Sequence, residues 1–365
     1  MKVLQVCSYY SSPLYKLLFD KLHEKGIEQD VFYFAVRGTN YTAASPNVRF
    51  SECYGQLDRV FYKHKQHKVM RAFCELFSEE KYDVVHAHSL FANGYVAYEI
   101  KKEIGTPYIV AVRNSDVNEF FAMRPWLRRC GLEIMENANA VVFISEPYRQ
   151  RVLRDFVPAS KKASIESKSL VIPNGINELF LANSPVESRR NDGTMRLVQV
   201  GDISKNKNQL GTMKACHNLR ERGYDVRLRI IGKVKDRKVF QKLTRCSFVD
   251  LYPPMSQKNL IAEYRMADVF VMPSHHETFG LSYVEAMSQG LPVVYTKDQG
   301  FDGQFRNGEV GYAVNSSDFK GIADAILLAS AMSAQKRSTI TQYARIFRWC
   351  DIARRYVALY CDSIG

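Results

Sequence analysis

The chain has 365 residues, of which 46% are apolar and 24% charged, a balance that excludes intrinsic disorder and suits about two domains of ordinary size. Lys and Arg outnumber Asp and Glu by 51 to 38, a net charge of +13 with a calculated pI near 9.3, so an anionic partner is favoured: a nucleotide, a nucleic acid or an acidic membrane surface. The eight cysteines stand singly with no C-x-x-C pair, which argues against a zinc or disulfide framework and for reduced thiols in the cytoplasm.

MKVLQVC at residues 1–7 starts directly on a strand, with no signal-peptide core, and nowhere do roughly 18 apolar residues run together. The expectation is a chain neither exported nor membrane-spanning. Short apolar runs then alternate with helix-period segments, the pattern of βαβ units on a parallel sheet. In the first half the strands are Val3–Cys7, Val31–Val36, Val84–His88, Tyr108–Val112 and Val141–Ile144, separated by helices over Leu14–Lys25, Val60–Phe77, Ala92–Ile104 and Phe120–Asn137. Lys63, Lys65, Lys68 and Arg71 crowd the second helix beside Val69, Met70, Phe73 and Phe77. Such a basic amphipathic helix can lie on acidic lipid, although a solvated face is the commoner cause.

INELFLANSPVESRRNDGT, with Pro185 and Gly193, loses all periodicity and reads as an interdomain connection. The alternation restarts with Leu197–Val200, Val226–Ile231, Phe248–Tyr252, Val269–Met272 and Val293–Tyr295. Ala334–Ile364 is helical in pattern, with Phe347, Trp349, Ile352, Tyr356 and Leu359 as an apolar face. The domains are therefore expected at 1–178 and 194–345.

Open parallel sheets bind ligands beyond the carboxyl ends of their strands, which directs attention to MPSHHETFGLSYVEAMSQGLPVVYT at 272–296. A strand ends at Met272, a polar turn spans 273–280, a short helix runs from Leu281 to Gln289, and Gly290 stops it. Glu277 precedes this helix and Glu285 lies within it, so both carboxylates can border one pocket, where the amides of Phe279, Gly280 and Leu281 can meet an anion. Two surface glutamates at a helix start are the bland alternative.

Glu277, Phe279, Gly280 and Glu285 resemble the E-x7-E pattern of the family 4 retaining glycosyltransferases of GT-B fold. DVVHAH at 83–88, IPNGI at 172–176 and VGDISKNKN at 200–208 extend the resemblance over nearly the whole chain. It implies an α/β GT-B architecture: two doubly wound Rossmann-like domains facing a central cleft, with a C-terminal helix, about 346–365, crossing back to the first. It further implies transfer of a sugar from a nucleoside diphosphate sugar, UDP-sugar first among them, to a saccharide or lipid-linked saccharide, with no metal and no other cofactor.

By the same resemblance Glu285 binds the donor ribose, Glu277 meets hydroxyls of the transferred sugar, and Lys207 is the principal cation for the departing diphosphate. The family's Arg after VG is replaced by Asp202, so either Lys205 or a residue of the first domain supplies that charge, or the diphosphate is held less tightly. Arg113 and Asp116 in VRNSD resemble the acceptor-side and sugar-side residues of their loop, against the alternative of a structural salt bridge. Ser11 and Ser12 stand where many relatives have Gly-Gly. Asn174 and Gly175 form a turn, with nucleotide contact a secondary role for Asn174.

His86 and His88 point to one face of their strand, where packing is the better reading than metal ligation, and no D-x-D occurs. The rival readings are an epimerase or phosphorylase on the same scaffold and a basic nucleic-acid-binding protein, whose aromatics would interleave with its cations as they do not here. A dehydrogenase is opposed by the lack of G-x-G-x-x-G after a strand. The expected partners are a nucleotide-sugar donor, a saccharide acceptor and peripheral contact with the inner face of an acidic membrane, with no nucleic acid.

Overall fold

A computed structural model describes residues 1–41, 45–77, 80–183 and 192–365. These fold as two compact units: Met1–Ile144, Tyr148–Pro173 and Trp349–Gly365 form one, and Ser145–Pro147 with Asn174–Arg348 the other.

The first unit is built on seven parallel strands, β1 (Lys2–Val6), β2 (Glu28–Val36), β3 (Val48–Tyr54), β4 (Val84–Ala87), β5 (Tyr108–Val112), β6 (Ala140–Phe143) and β7 (Ser169–Val171), in the order β3-β2-β1-β4-β5-β6-β7. Alternation along each strand feeds two cores. Leu4, Val6, Val85, Ala87 and Val110 face one layer, and Val3, Cys7, Val84 and Ile109 face the other. The second layer includes the helix Trp349–Ile364, whose Trp349, Ile352, Ala353, Tyr356 and Tyr360 are buried at helical spacing.

The second unit carries six parallel strands, β8 (Thr194–Val200), β9 (Asp225–Ile231), β10 (Val249–Tyr252), β11 (Val269–Val271), β12 (Val293–Thr296) and β13 (Gly311–Val314), in the order β10-β9-β8-β11-β12-β13. Strand order reverses between β1 and β4 in the first sheet and between β8 and β11 in the second. Chain leaving these strands at their carboxyl ends opens the crevice where doubly wound sheets take ligands.

Several expected elements differ. Strands β3 and β13 are additional, and the helix expected over Phe120–Asn137 is a π-helical turn at Asp116–Phe121, a 3-10 turn at Pro125–Leu127 and a helix from Arg128 to Asn137. Pro125 breaks the ladder there. The long terminal helix divides into Ala334–Ala344, a 3-10 turn at Arg345–Phe347 and Trp349–Ile364. Phe347 therefore belongs to the second unit, packed on Phe279, and not to the face formed by Trp349 and Tyr356. Within the expected connection, Asn177 caps a short helix, Glu178–Ala182, through a bond from the Leu179 amide. The rest of that connection, residues 184–191 with Pro185, lies outside the described residues.

Candidate active site

The loop leaving β8 is set by side-chain clamps. Gln209 accepts from the Ser204 amide at 3.3 Å and donates to the Asp202 carbonyl at 2.9 Å, while Gln199 donates to the Lys207 carbonyl at 2.7 Å. Asn208, at φ +54°, begins the next helix and sends its amide to the carbonyls of Pro273 and Ser316 at 3.0 and 2.7 Å. Asn206 exchanges two bonds with the backbone of His276 at 2.9 and 3.0 Å. The loops following β8 and β11 are thereby stitched together at the point of strand-order reversal.

The stitching brings Lys207 Nζ to Glu277 Oε2 at 2.5 Å, with the two side chains only 23% and 11% exposed. Glu277 is fixed through its backbone as well: its amide donates to Gln299 at 3.0 Å, and its carbonyl accepts from the Gly300 amide at 2.7 Å. The approach is so close that a Cβ on Gly300 would lie 1.8 Å from the Thr278 carbonyl oxygen, so only glycine fits.

Beyond Glu277 the chain turns into the helix Leu281–Ser288 at Gly280, which takes φ +79°. The Phe279 ring is buried against Phe347 at 5.4 Å, so this residue can offer a ligand its backbone alone. No acceptor is found among the described residues for the amides of Phe279, Gly280 and Leu281. A helix N-terminus with unpaired amides beside an ammonium is a site for an anion.

Glu285 lies one helical turn further along. Tyr264 Oη donates to its Oε2 at 3.2 Å, and burial raises the carboxyl from 4.5 to about 7. Lys207 pairs with Glu277 and not with Glu285. Lys205 and Asp202, on the β8 loop, are exposed, and Lys205 meets no carboxylate among the described residues. Asn174 is half-buried at the start of the second unit.

In the first unit Asp116 is 1% exposed and accepts three backbone amides, from Leu90 at 3.0 Å, Phe91 at 3.1 Å and Arg113 at 2.8 Å. It ties the exit of β5 to the exit of β4, and burial raises its carboxyl to about 6. Arg113 donates through Nε to the His88 carbonyl at 3.2 Å, and its buried Nη1 finds no acceptor among the described residues. Ser12 precedes the helix Pro13–Glu24 without a side-chain capping bond. His86 bonds the Tyr360 hydroxyl and His88 the Gln5 side chain, each at 2.8 Å. Burial pushes both imidazoles well below their ordinary value, so they are packed, neutral groups.

Sequence reasoning did not single out Tyr264, Gln299, Asn206 or Asn208. Their only signal was position: Asn206 and Asn208 flank Lys207, and Gln299 follows the next strand. Among the described residues no three His, Cys, Asp or Glu side chains are placed to hold a metal ion, and the eight cysteines are free.

Two parallel-sheet Rossmann-like units, each with an open switch point, define a sugar-transferring enzyme of GT-B architecture when set beside known proteins. Residues 16–178 match the family described as Glycosyltransferase Family 4, and residues 182–347 match Glycosyl transferases group 1. The chain belongs to the family 4 glycosyltransferases of GT-B fold. A D-inositol 3-phosphate glycosyltransferase of Corynebacterium urealyticum is 26% identical over 310 residues, covering 76% of this chain and 71% of that one. A sucrose-phosphate synthase from Thermosynechococcus elongatus superposes with a TM-score of 0.78 at 18% identity, covering 99% of this chain and 98% of the other. Alr3699/HepE of Anabaena, in complex with UDP and glucose, gives 0.65 at 18% identity and covers 98% and 99%.

Proposed function

We propose that this glycosyltransferase moves a sugar from a nucleoside diphosphate sugar, UDP-sugar before others, onto a saccharide or lipid-linked saccharide, retaining the anomeric configuration and using no metal. The observation that carries the reading is the set of unpaired amides at Phe279, Gly280 and Leu281 beside the Lys207–Glu277 pair. As the bond from the anomeric carbon to the diphosphate oxygen breaks, negative charge grows on the diphosphate. Amides and an ammonium already oriented toward that position stabilise it without reorganising. The same diphosphate takes the acceptor hydroxyl's proton while the new bond forms on the same face of the sugar. Glu285 in its ionised form accepts the ribose hydroxyls, and Glu277 orients the transferred sugar while holding Lys207. The Anabaena neighbour's complex with UDP supports the choice of uridine.

The test is calorimetric titration with UDP, GDP and ADP in the presence of a chelator, on the native protein and on Glu285→Ala. Selective binding of one diphosphate, lost in the variant, is expected. Binding of none, or equal binding by the variant, refutes the donor site, and an inverted anomeric centre in the product refutes retention.

Peripheral membrane contact is part of the proposal, with a location different from the helix face that composition suggested. In the helix Tyr62–Phe77, Lys68 is bound to Asp58 and Arg71 to Glu75, each at 2.9 Å. Leu57, Val60, Phe61, Met123 and Trp126 are instead 66–80% exposed, and Val60, Phe61 and Trp126 border one surface hollow with Arg59, Lys63 and Arg124. Aromatic and aliphatic side chains rimmed by cations suit an anionic lipid surface. Phe61→Ser with Trp126→Ser should abolish co-sedimentation with phosphatidylglycerol vesicles, and undiminished sedimentation would refute the location. No helix among the described residues is long and apolar enough to cross a membrane.

A further inference from the structure

A cavity of about 430 Å³ opens in the first unit beside Ser8 and Tyr9, which follow β1, and Ala92, which follows β4. It thus lies at that sheet's reversal of strand order, where a ligand is expected. Three cations line it, Arg59, Lys65 and Arg124, against a single carboxylate, Glu119.

Two of these cations, Lys65 and Arg124, rest on rings and not on acids. Lys65 Nζ lies 4.5 Å from the Tyr54 ring centre, and the Arg124 guanidinium 4.6 Å from that of Phe120. Among the described residues none of the three forms an ion pair, whereas Lys68 and Arg71 on the same helix do. Burial, followed by the charges of Arg59 and Arg124, pulls the Lys65 ammonium down to about 8. Three like charges in a concave site whose one carboxylate, Glu119, pairs with none of them are complementary to a multiply charged anion. Two guanidinium groups offer the forked donors that phosphate oxygens accept. The tyrosine rings and the hydroxyls of Ser8 and Thr39 supply a mixed apolar and hydrogen-bonding wall for a sugar.

We infer that this cavity seats the phosphoryl group of a phosphorylated saccharide acceptor. The inference rests on the glycosyl-transfer reading above and deepens it by naming the acceptor's chemistry. The phosphoryl group has two possible sources, a soluble sugar phosphate or the diphosphate that joins a saccharide to a lipid.

The experiment measures binding of glucose, glucose 6-phosphate and farnesyl diphosphate in detergent micelles to the full chain. It is repeated on Lys65→Gln with Arg124→Gln, and on Lys65→Arg. At least one phosphorylated probe should bind about tenfold or more tightly than glucose, with Lys65→Arg keeping that preference and the double variant losing it. Preference for glucose 6-phosphate assigns a soluble acceptor, and preference confined to farnesyl diphosphate a lipid-linked one. Equal binding of all three probes by the native protein, or a preference that survives in the double variant, overturns the inference. UDP, GDP and ADP titrated into the same samples keep the two readings apart. Their binding should be untouched by the double variant, and their failure to bind the native protein would count against the donor site instead.

Discussion

Glu285→Gln removes the charge of a buried carboxyl while keeping its size, and it should raise stability while lowering donor affinity. Burial holds the native carboxyl at about 7 against an ordinary 4.5, and each unit of such a shift corresponds to about 1.4 kcal/mol. The native state grips this proton more tightly than the unfolded chain does. The carboxyl's contribution to stability is therefore most favourable below 4.5, declines as pH rises through that range, and levels off above about 7. The whole shift amounts to about 3 kcal/mol. Glu285 keeps partial exposure, so screening reduces the expected gain in the variant to about 1–2 kcal/mol, a few degrees in Tm. Denaturant titrations of both proteins should show a small difference at about pH 5 and the full difference at about pH 8. In parallel, UDP affinity of the native protein should rise between about pH 6 and pH 8 as the carboxylate ionises, and should fall at least about tenfold in the variant, whose amide presents one acceptor in place of two. A variant no more stable than the native protein at about pH 8 would refute the desolvation argument. A more stable variant that binds UDP as tightly would refute the ribose contact.

Lys207→Met should lower kcat for transfer by at least about tenfold, or about 1.4 kcal/mol of transition-state stabilisation, with Lys207→Arg recovering part of it; full activity of Lys207→Met in a steady-state assay excludes Lys207 as the leaving-group cation. Gly300→Ala forces a methyl group to within 1.8 Å of the Thr278 carbonyl oxygen, so melting temperature and UDP binding should fall together, the loop carrying Glu277 being displaced. Asp116→Asn places an NH2 group among the amide donors of Leu90, Phe91 and Arg113 and should destabilise the first unit by about 1–3 kcal/mol near neutral pH. Equal denaturant midpoints would show that those three bonds are not needed.

The parallel sheets were legible because strands buried on both faces leave short apolar runs, such as VVHA and YIVAV. Strand β3 escaped because it lies at the end of the sheet and carries Arg49, Ser51 and Glu52. Trp349–Ile364 was misjoined to the preceding helix because helical periodicity continues through Arg345–Phe347, while the backbone turns extended at Arg348, with ψ 135°. At the candidate site, the motif residues Lys207, Glu277 and Glu285 were visible. Tyr264 was not, since a tyrosine on an amphipathic helix reads as core, and its hydroxyl meets Glu285 only once two helices are packed.

Charge shows most sharply where reading by pattern stops. Lys65, Lys68 and Arg71 are equivalent in sequence, three cations on one basic helix. In the fold Lys68 is neutralised by Asp58 and Arg71 by Glu75, while Lys65 turns inward beneath Tyr54 toward Arg59 and Arg124. A paired surface cation contributes at most about 1 kcal/mol to stability and has little field left for a ligand. An unpaired one in a concave wall keeps its full field and is stabilised when an anion enters. What a positive chain binds is thus decided in part by which cations the fold leaves without a carboxylate, and among the described residues Arg59, Lys65 and Arg124 gather in this way at the switch point of the first sheet. Replacing Lys68 and Arg71 by Gln should therefore leave binding of phosphorylated probes unchanged, while the Lys65 and Arg124 replacements abolish their preference; equal losses from both pairs would show that bulk charge, and not the unpaired cluster, attracts the anion.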